Sequence, residues 1–194
     1  MTTFDDAWAW YQATSSGAQV VARLAKYWDL MPWEGGEEWI RALARDNLFR
    51  HLEAGQLAKD AEQIENGLED LAILMLFSVF EANVRDLVES DVRPEIEALK
   101  HPALRKAGED VLQAVTEGSF YRVLEPFKSA ATNDLIEQVN QVRRYRNWVA
   151  HGCRADKKPD ALVKPREAYK RLKTFLDLLQ PAPSQRRDLS EGMD

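Results

Sequence analysis

Cysteine is almost absent from this chain of 194 residues, which contains Cys153 and no second thiol. A disulfide within the chain is therefore excluded, and so is a zinc site built from several thiolates. The residues around Cys153 match no cysteine-histidine nucleophile motif, although His151 stands two positions before it. Cys153 is accordingly not our candidate nucleophile.

Histidine is also scarce, and its three copies, His51, His101 and His151, lie far apart in the sequence. The chain has no Glu-x-x-His pair of the kind found in di-iron bundles, and no His-Glu-x-x-His motif of a zinc protease. No glycine-rich phosphate loop precedes a helix either. The sequence therefore predicts neither a metal site nor a bound cofactor.

Long apolar runs are missing as well. The longest, from Leu71 to Phe80, is too short to cross a bilayer. The first six residues lack the basic start of a signal peptide. These features lead us to expect a soluble cytoplasmic protein without a membrane partner.

Glycine and proline are sparse within the periodic segments, and no segment alternates apolar and polar residues as a half-buried strand would. The pattern predicts an all-α fold. Breaks are expected at Ser15-Ser16-Gly17, Gly55 and Pro94, among other positions. The predicted helices lie near residues 4–13, 17–29, 36–54, 57–90, 93–99, 102–116, 118–128, 132–151 and 164–180.

The tryptophans suggest how the chain is organised, because five of the six stand in the first forty residues. They predict an aromatic-rich helical extension over residues 1–55, whose tryptophans form either a small core or a face for a partner protein. Residues 56–180 are expected to form a helical bundle around an apolar helix from Leu68 to Val88. The polar tail 181–194 contains proline and is expected to be mobile.

Charge is unevenly distributed along the chain. The formal net charge of −6 opposes a role as a general nucleic-acid coat protein, because a polyanion would be repelled at long range. Acidic residues concentrate between residues 53 and 70, whereas residues 143–173 are rich in arginine and lysine. An acidic protein can therefore still present one basic surface to RNA. The substrate-binding candidates on that surface are Arg143, Arg144, Lys170, Arg171 and Lys173.

The most informative segment is RRYRNWVAHG, which ends at Gly152. It places His151, an imidazole that can accept or donate a proton, beside fixed positive charge and the amide of Asn147. The pattern Arg146-Asn147-x-x-x-His151 in a late helix resembles the HEPN superfamily, whose nuclease members cut RNA with an Arg-x(4 to 6)-His motif. An upstream apolar helix that carries Phe80-Glu81 strengthens the resemblance, which covers roughly residues 60–180.

The resemblance implies a HEPN-like helical bundle that acts as a metal-independent endoribonuclease. The catalytic candidates are Arg146, His151, Asn147 and Glu81. His151 would take the proton of an RNA 2′-hydroxyl or protonate the leaving 5′-oxygen, and arginine would stabilise the phosphorane, which yields a 2′,3′-cyclic phosphate. The resemblance further implies a homodimer with a composite site, in a prokaryotic toxin or phage-defence component controlled by an antitoxin or another regulatory protein.

Arg146 occupies an unusual position on its helix. On a straight helix it falls within an apolar stripe formed by Leu135, Val139, Val142 and Val149. An arginine side chain stays protonated, so at such a position it needs a carboxylate, a cleft or a partner chain. Glu81 is the candidate carboxylate. Glu81 can instead form a local i, i+4 pair with Arg85 at the edge of the core. The opposite stripe contains Asn140, Arg144, Asn147 and His151.

Arg146 and His151 point about 140° apart on an unbroken helix, because they are five residues apart. They converge only if the helix unwinds at His151, where Gly152 can adopt the left-handed cap, or if two chains face each other. Spacing alone does not identify the motif, since Arg45 with His51 and Arg144 with His151 also satisfy it. His151 can also simply cap the C-terminus of its helix.

Two alternatives to the ribonuclease stay open. One is a HEPN-like module that binds a nucleic acid, a nucleotide or a protein without cutting. The other is a purely structural helical interaction protein. Only the ribonuclease predicts a cleavage activity that is lost on replacement of His151 while the fold survives.

Overall fold

A computed structural model describes residues 3–33, 35–47, 49–120, 123 and 131–179. Every regular element among these residues is a helix, so the predicted all-α class is confirmed for them. No helix in this part of the chain combines the length and the apolar character needed to cross a membrane. The described α-helices are α1 (Phe4–Tyr27), α2 (Glu38–Arg45), α3 (Ala54–Ala98), α4 (Pro102–Glu117), α5 (Asn133–Ala150) and α6 (Pro165–Leu179). Short 3-10 turns lie at Trp28–Leu30, Phe49–His51 and Ala155–Lys157.

The chain forms two compact units. The N-terminal unit contains residues Trp8–Ala72, and the C-terminal unit contains the first seven residues and everything from Ile73 onward, as far as the structure describes them. Both α1 and α3 have residues in each unit. The boundary predicted after residue 55 falls in the first turn of α3, inside the N-terminal unit. The tail 181–194 lies outside the described residues.

The core of the C-terminal unit is built around the second half of α3. Phe77 and Phe80 are buried there, and both rings contact Phe120, at 5.4 and 5.6 Å between centroids. Phe80 also contacts Phe175 of α6 at 5.8 Å, and α5 packs against α6. Each such side chain stabilises the fold by about 1.5–3 kcal/mol through burial. From Ile73 onward, the apolar segment Leu68 to Val88 therefore supplies the central helix of this unit.

The N-terminal unit has a small aromatic core. Trp28 packs against Trp33 and Phe49, with ring centroids 4.6 and 6.1 Å away. The indole Nε1 of Trp33 donates a hydrogen bond to the Trp28 carbonyl at 3.0 Å, which satisfies its polar atom within the core. Leu57 of α3 is buried in the same cluster. This confirms the core interpretation for Trp28 and Trp33, whereas Trp10 and Trp39 are exposed.

Two predicted helix breaks are wrong, because tertiary packing outweighs local propensity. α1 continues through Ser15-Ser16-Gly17, and Ala18, directly after this segment, is buried. A glycine inside a helix costs only about 1 kcal/mol, which such burial can offset. The predicted helix 36–54 is shorter than expected, since α2 ends at Arg45.

α3 likewise continues through Pro94, although proline removes one backbone hydrogen bond. The turn beyond it is held by Ile96, which is buried against α4. A Cβ at Gly108 of α4 would lie 2.9 Å from Ile96 Cγ1, so the close approach requires glycine there. The helix predicted at 118–128 lies mostly outside the described residues, but Phe120 and Val123 are helical and buried.

Candidate functional site

The motif helix α5 has well-defined ends. Its N-cap is Thr132, whose side-chain oxygen accepts a hydrogen bond from the Leu135 amide at 3.2 Å. Its last helical residue is Ala150, and His151 is the C-cap. The helix is therefore regular over the whole interval between Arg146 and His151.

The end of α5 is a Schellman motif. The Gly152 amide donates to the Val149 carbonyl and the Cys153 amide donates to the Trp148 carbonyl, both at 3.0 Å. Gly152 has a φ of 79°, which is the left-handed cap conformation predicted for it. Cys153 also has a positive φ, 53°. The chain therefore turns sharply after His151, while the helix itself does not unwind before it.

One side of α5 faces the core. Val139 and Val142 are fully buried, as the predicted apolar stripe requires. Asn140, on the opposite stripe, is buried as well and only 7% exposed. Its side-chain oxygen accepts a hydrogen bond from Arg143 Nε at 3.2 Å. The buried face is wider than a single stripe because Tyr145 is buried beside it.

Arg146 lies at the edge of this buried face. Its guanidinium stands over the Phe77 ring at 5.5 Å and donates to the Asn147 side-chain oxygen at 3.0 Å. Glu81 Oε2 is 3.9 Å from Arg146 Nη2, a long ion pair. The side chain is 30% exposed, and its Nε is buried without a hydrogen-bond partner among the described residues.

Glu81 is bound more closely by Arg85. Glu81 Oε1 and Arg85 Nη2 are 2.6 Å apart, which confirms the local i, i+4 pair. Arg85 also donates to the carbonyls of Thr116 at 3.0 Å and Gly118 at 2.8 Å, and to that of Val115. It thereby satisfies carbonyl groups that the end of α4 leaves without helical partners. Arg85 thereby connects α3 to the end of α4.

A pocket of about 250 Å³ lies beside His151, which is one of its lining residues. The helix contributes Arg144, Asn147, Trp148 and His151, and the segment after it contributes Arg154, Lys157 and Pro159. We call this the His151 pocket. Three fixed cations line it, and none of its described lining residues is acidic. Such a lining favours an anionic ligand of small size.

The loop residues are brought to the pocket by Trp148. Its indole Nε1 donates to the Arg154 carbonyl at 2.8 Å, which fastens the loop to α5. The Lys157 amide then donates to the same carbonyl at 3.1 Å, within the 3-10 turn Ala155–Lys157. The cationic side chains of Arg154 and Lys157 are thus carried to the C-terminal end of α5. Neither residue was predicted as a site residue, nor were Trp148 and Pro159.

Two of the cations form ion pairs with acidic residues that do not line the pocket. Arg144 pairs with Glu137, and its hydrogen bond holds the pKa of the Glu137 carboxyl below its usual value. Arg154 Nη2 is 3.3 Å from Asp156. All four side chains are about half exposed, so these pairs hold the cations weakly and a phosphate can compete for them.

The other predicted site residues lie elsewhere in the C-terminal unit. Arg146, Glu81 and Arg143 do not line the pocket, and neither do the α6 cations Lys170, Arg171 and Lys173. Arg171 donates to the Gln141 side chain at 3.0 Å. Burial would lower the pKa of Lys173, but the carboxylates of Asp177 and Asp5, 3.4 and 3.6 Å away, raise it above its usual value. Lys170 is exposed.

The remaining histidines have different surroundings. His101 is the N-cap of α4, where its Nδ1 accepts a hydrogen bond from the Ala103 amide. His51 lies in a 3-10 turn, whereas Arg45 is the last residue of α2. The two residues have the spacing of the Arg-x(4 to 6)-His motif, but they do not lie on one helix. Among the described residues, no group of three or more His, Cys, Asp or Glu side chains is placed to hold a metal ion.

No protein-family model, no curated protein and no solved structure matches the chain.

Proposed function

We propose that the protein is a metal-independent endoribonuclease of HEPN type, and that the His151 pocket binds the phosphate at which RNA is cut. The observation that carries this proposal is the composition of the pocket. It joins an imidazole to three cationic side chains, with no acidic residue in its described lining. An RNA-cutting toxin or defence effector, held in check by an antitoxin or another regulatory protein, fits this activity.

His151 has the chemistry to move both protons of the reaction. A neutral imidazole accepts the proton of the 2′-hydroxyl as the 2′-oxygen attacks phosphorus, and an imidazolium returns a proton to the 5′-oxygen as its bond to phosphorus breaks. The products are a 2′,3′-cyclic phosphate and a 5′-hydroxyl end. Arg144, Arg154 and Lys157 stabilise the negative charge that grows on the phosphorane. The amide of Asn147 can donate a hydrogen bond to a phosphate oxygen.

The experiment that tests this proposal compares RNA and DNA of one sequence in excess EDTA. RNA should be cut and DNA should stay intact, since the 2′-hydroxyl is the nucleophile. Cleavage that requires Mg²⁺, or that attacks both nucleic acids equally, would contradict the proposal.

We also propose that Arg146 joins the site from a second copy of the chain. Within one chain Arg146 contacts Phe77, Asn147 and Glu81 and does not line the His151 pocket. α5 is regular between Arg146 and His151, so the two side chains diverge by about 140°. In a twofold dimer that brings two motif helices together, Arg146 of one copy can reach His151 of the other.

Light scattering at micromolar concentration should therefore give the mass of a dimer. A monomer with full cleavage activity would show that Arg146 takes no part in the reaction.

A non-cutting binding module is the second candidate, because the arginine of the motif is held apart from its histidine in one chain. The cations of the pocket are retained in that case, and so is the affinity for anions. Purified protein that binds RNA and never cuts it, at any protein concentration that gives dimers, would favour this candidate.

The salt dependence of RNA binding identifies the cations that contact phosphate. Replacing Arg154 and Lys157 together with alanine should lower the slope of log affinity against log salt concentration by about 1.4–1.8, at roughly 0.7–0.9 per lost contact. The matched control removes the exposed α6 cations Arg166 and Lys170 and should leave the slope unchanged. The opposite outcome would place RNA on α6, where Lys170, Arg171 and Lys173 were predicted to bind it.

A further inference from the structure

Trp148 has a role in the pocket that the proposed cleavage chemistry does not use. Its ring lines the His151 pocket, and its one polar atom, Nε1, already donates to the Arg154 carbonyl at 2.8 Å. The part of the indole that faces a ligand is therefore apolar and aromatic. Such a surface recognises a flat, apolar group and has no further hydrogen bond to offer it.

The indole is also held firmly in place. Tyr145, one turn earlier on α5, contacts the Trp148 ring with centroids 5.6 Å apart and an interplanar angle of 57°. The hydrogen bond to Arg154 holds the nitrogen edge of the ring. A ligand that stacks on Trp148 would therefore meet a surface that is already ordered, and little conformational entropy would be lost on binding.

The cations and the indole face the same small space. Arg154 and Lys157 line the pocket together with Trp148, within about 250 Å³. A ligand that contacts both the cations and the indole needs an anionic group close to a flat ring. A nucleotide of RNA has this composition, with a phosphate for the cations and a base for the indole.

We infer that Trp148 is a specificity residue of this chain, which stacks an unpaired base beside the phosphate held by Arg154 and Lys157. The inference rests on the proposed ribonuclease function and adds the residue that recognises the base. A base within a duplex is stacked on its neighbours and paired, so its face is not available to Trp148. A base in a loop or a free strand can be turned out and stacked on an aromatic side chain.

The test uses RNA that binds but is not cut, so that it reports on recognition alone. A 2′-O-methyl oligonucleotide lacks the nucleophile, and its binding can be measured by fluorescence anisotropy as a single strand and as a duplex. The single strand should bind at least tenfold more tightly than the duplex. In Trp148→Ala the affinity for the single strand should fall by about tenfold, with little change for the duplex.

Trp148→Phe separates stacking from positioning of the loop. Phenylalanine retains an aromatic face but loses the Nε1 hydrogen bond to Arg154, so this variant should keep clearly more of the single-strand affinity than Trp148→Ala does. Trp39→Ala removes an exposed tryptophan outside the pocket and should bind as the parent does. Circular dichroism of each variant establishes that it is folded.

Three results of the binding experiment overturn the inference. They are equal affinity for single strand and duplex, absence of binding to either, and equal losses in Trp148→Phe and Trp148→Ala. The last would show that Trp148 acts only by positioning Arg154. Failure of the proposed function looks different: Trp148-dependent binding of the single strand would persist while unmodified RNA is never cut. Cleavage of duplex RNA as fast as single strands would leave the function standing and remove the inference.

Discussion

Replacing His151 with alanine should lower RNA cleavage by at least about 100-fold, because general acid-base catalysis contributes roughly 10²–10⁴-fold to such reactions. The fold should survive the change. The His151 side chain is exposed and makes no hydrogen bond to the described residues, and its backbone φ of −97° and ψ of 20° suit alanine. Cleavage of a labelled RNA and a thermal melt of the same sample measure the two properties.

His51→Ala is the matched control for this variant. His51 also follows an arginine, Arg45, at the spacing of the motif, and it is likewise exposed. It does not line the His151 pocket, so its replacement should leave cleavage at the parental rate. Equal activity in His151→Ala and the parent would remove His151 from the mechanism, whereas equal losses in both variants would point to a general effect on the protein.

The largest loss of stability is expected for Arg85→Ala, at about 3 kcal/mol. Arg85 is 16% exposed, and its guanidinium joins Glu81 to the carbonyls at the end of α4. Alanine leaves a half-buried carboxylate without its close partner and carbonyl groups without a donor, and both are costly in partly buried surroundings. Urea unfolding followed by circular dichroism gives the free energy of unfolding for this comparison.

Arg93→Ala provides the comparison on the same helix. Arg93 pairs with Glu89 at the same i, i+4 spacing, but both side chains are well exposed. Exposed pairs contribute little to stability, so this variant should unfold at nearly the parental urea concentration. Similar losses in Arg85→Ala and Arg93→Ala would mean that the carbonyl contacts of Arg85 have no special importance.

The sequence predicted those features of the site that depend on local geometry. The end of α5 at His151 and the left-handed conformation of Gly152 follow from the preference of glycine for that cap position. The divergence of Arg146 and His151 follows from helical geometry alone. The pair between Glu81 and Arg85 is one of two alternatives that the sequence leaves open, since Arg146 is a second possible partner of Glu81.

The features that the sequence did not predict depend on the conformation of a loop. Arg154 and Lys157 belong to the segment 143–173, which the sequence indicates only as basic. They reach the pocket because Trp148 binds the Arg154 carbonyl, a contact across six residues that no helical or strand period indicates. Aromatic residues at the end of a motif helix, followed by a glycine cap and further cations, would have been the signal to look for.

The continuity of the long helices also depends on contacts that the sequence pattern does not indicate. Pro94 and the Ser15-Ser16-Gly17 segment weaken a helix locally, and both lie inside long helices in the structure. The burial of Ile96 against Gly108 is a contact between residues that are distant in sequence. Propensity alone cannot weigh such a contact against the cost of one proline.

The chemical ends of the RNA fragments test the central claim most directly. Purified protein incubated with single-stranded RNA in excess EDTA should give fragments that end in a 2′,3′-cyclic phosphate and begin with a 5′-hydroxyl, as mass spectrometry would show. That result is predicted if the imidazole of His151 activates the 2′-hydroxyl within a basic pocket. Fragments with 3′-hydroxyl and 5′-phosphate ends, or no fragments at all, would contradict the account.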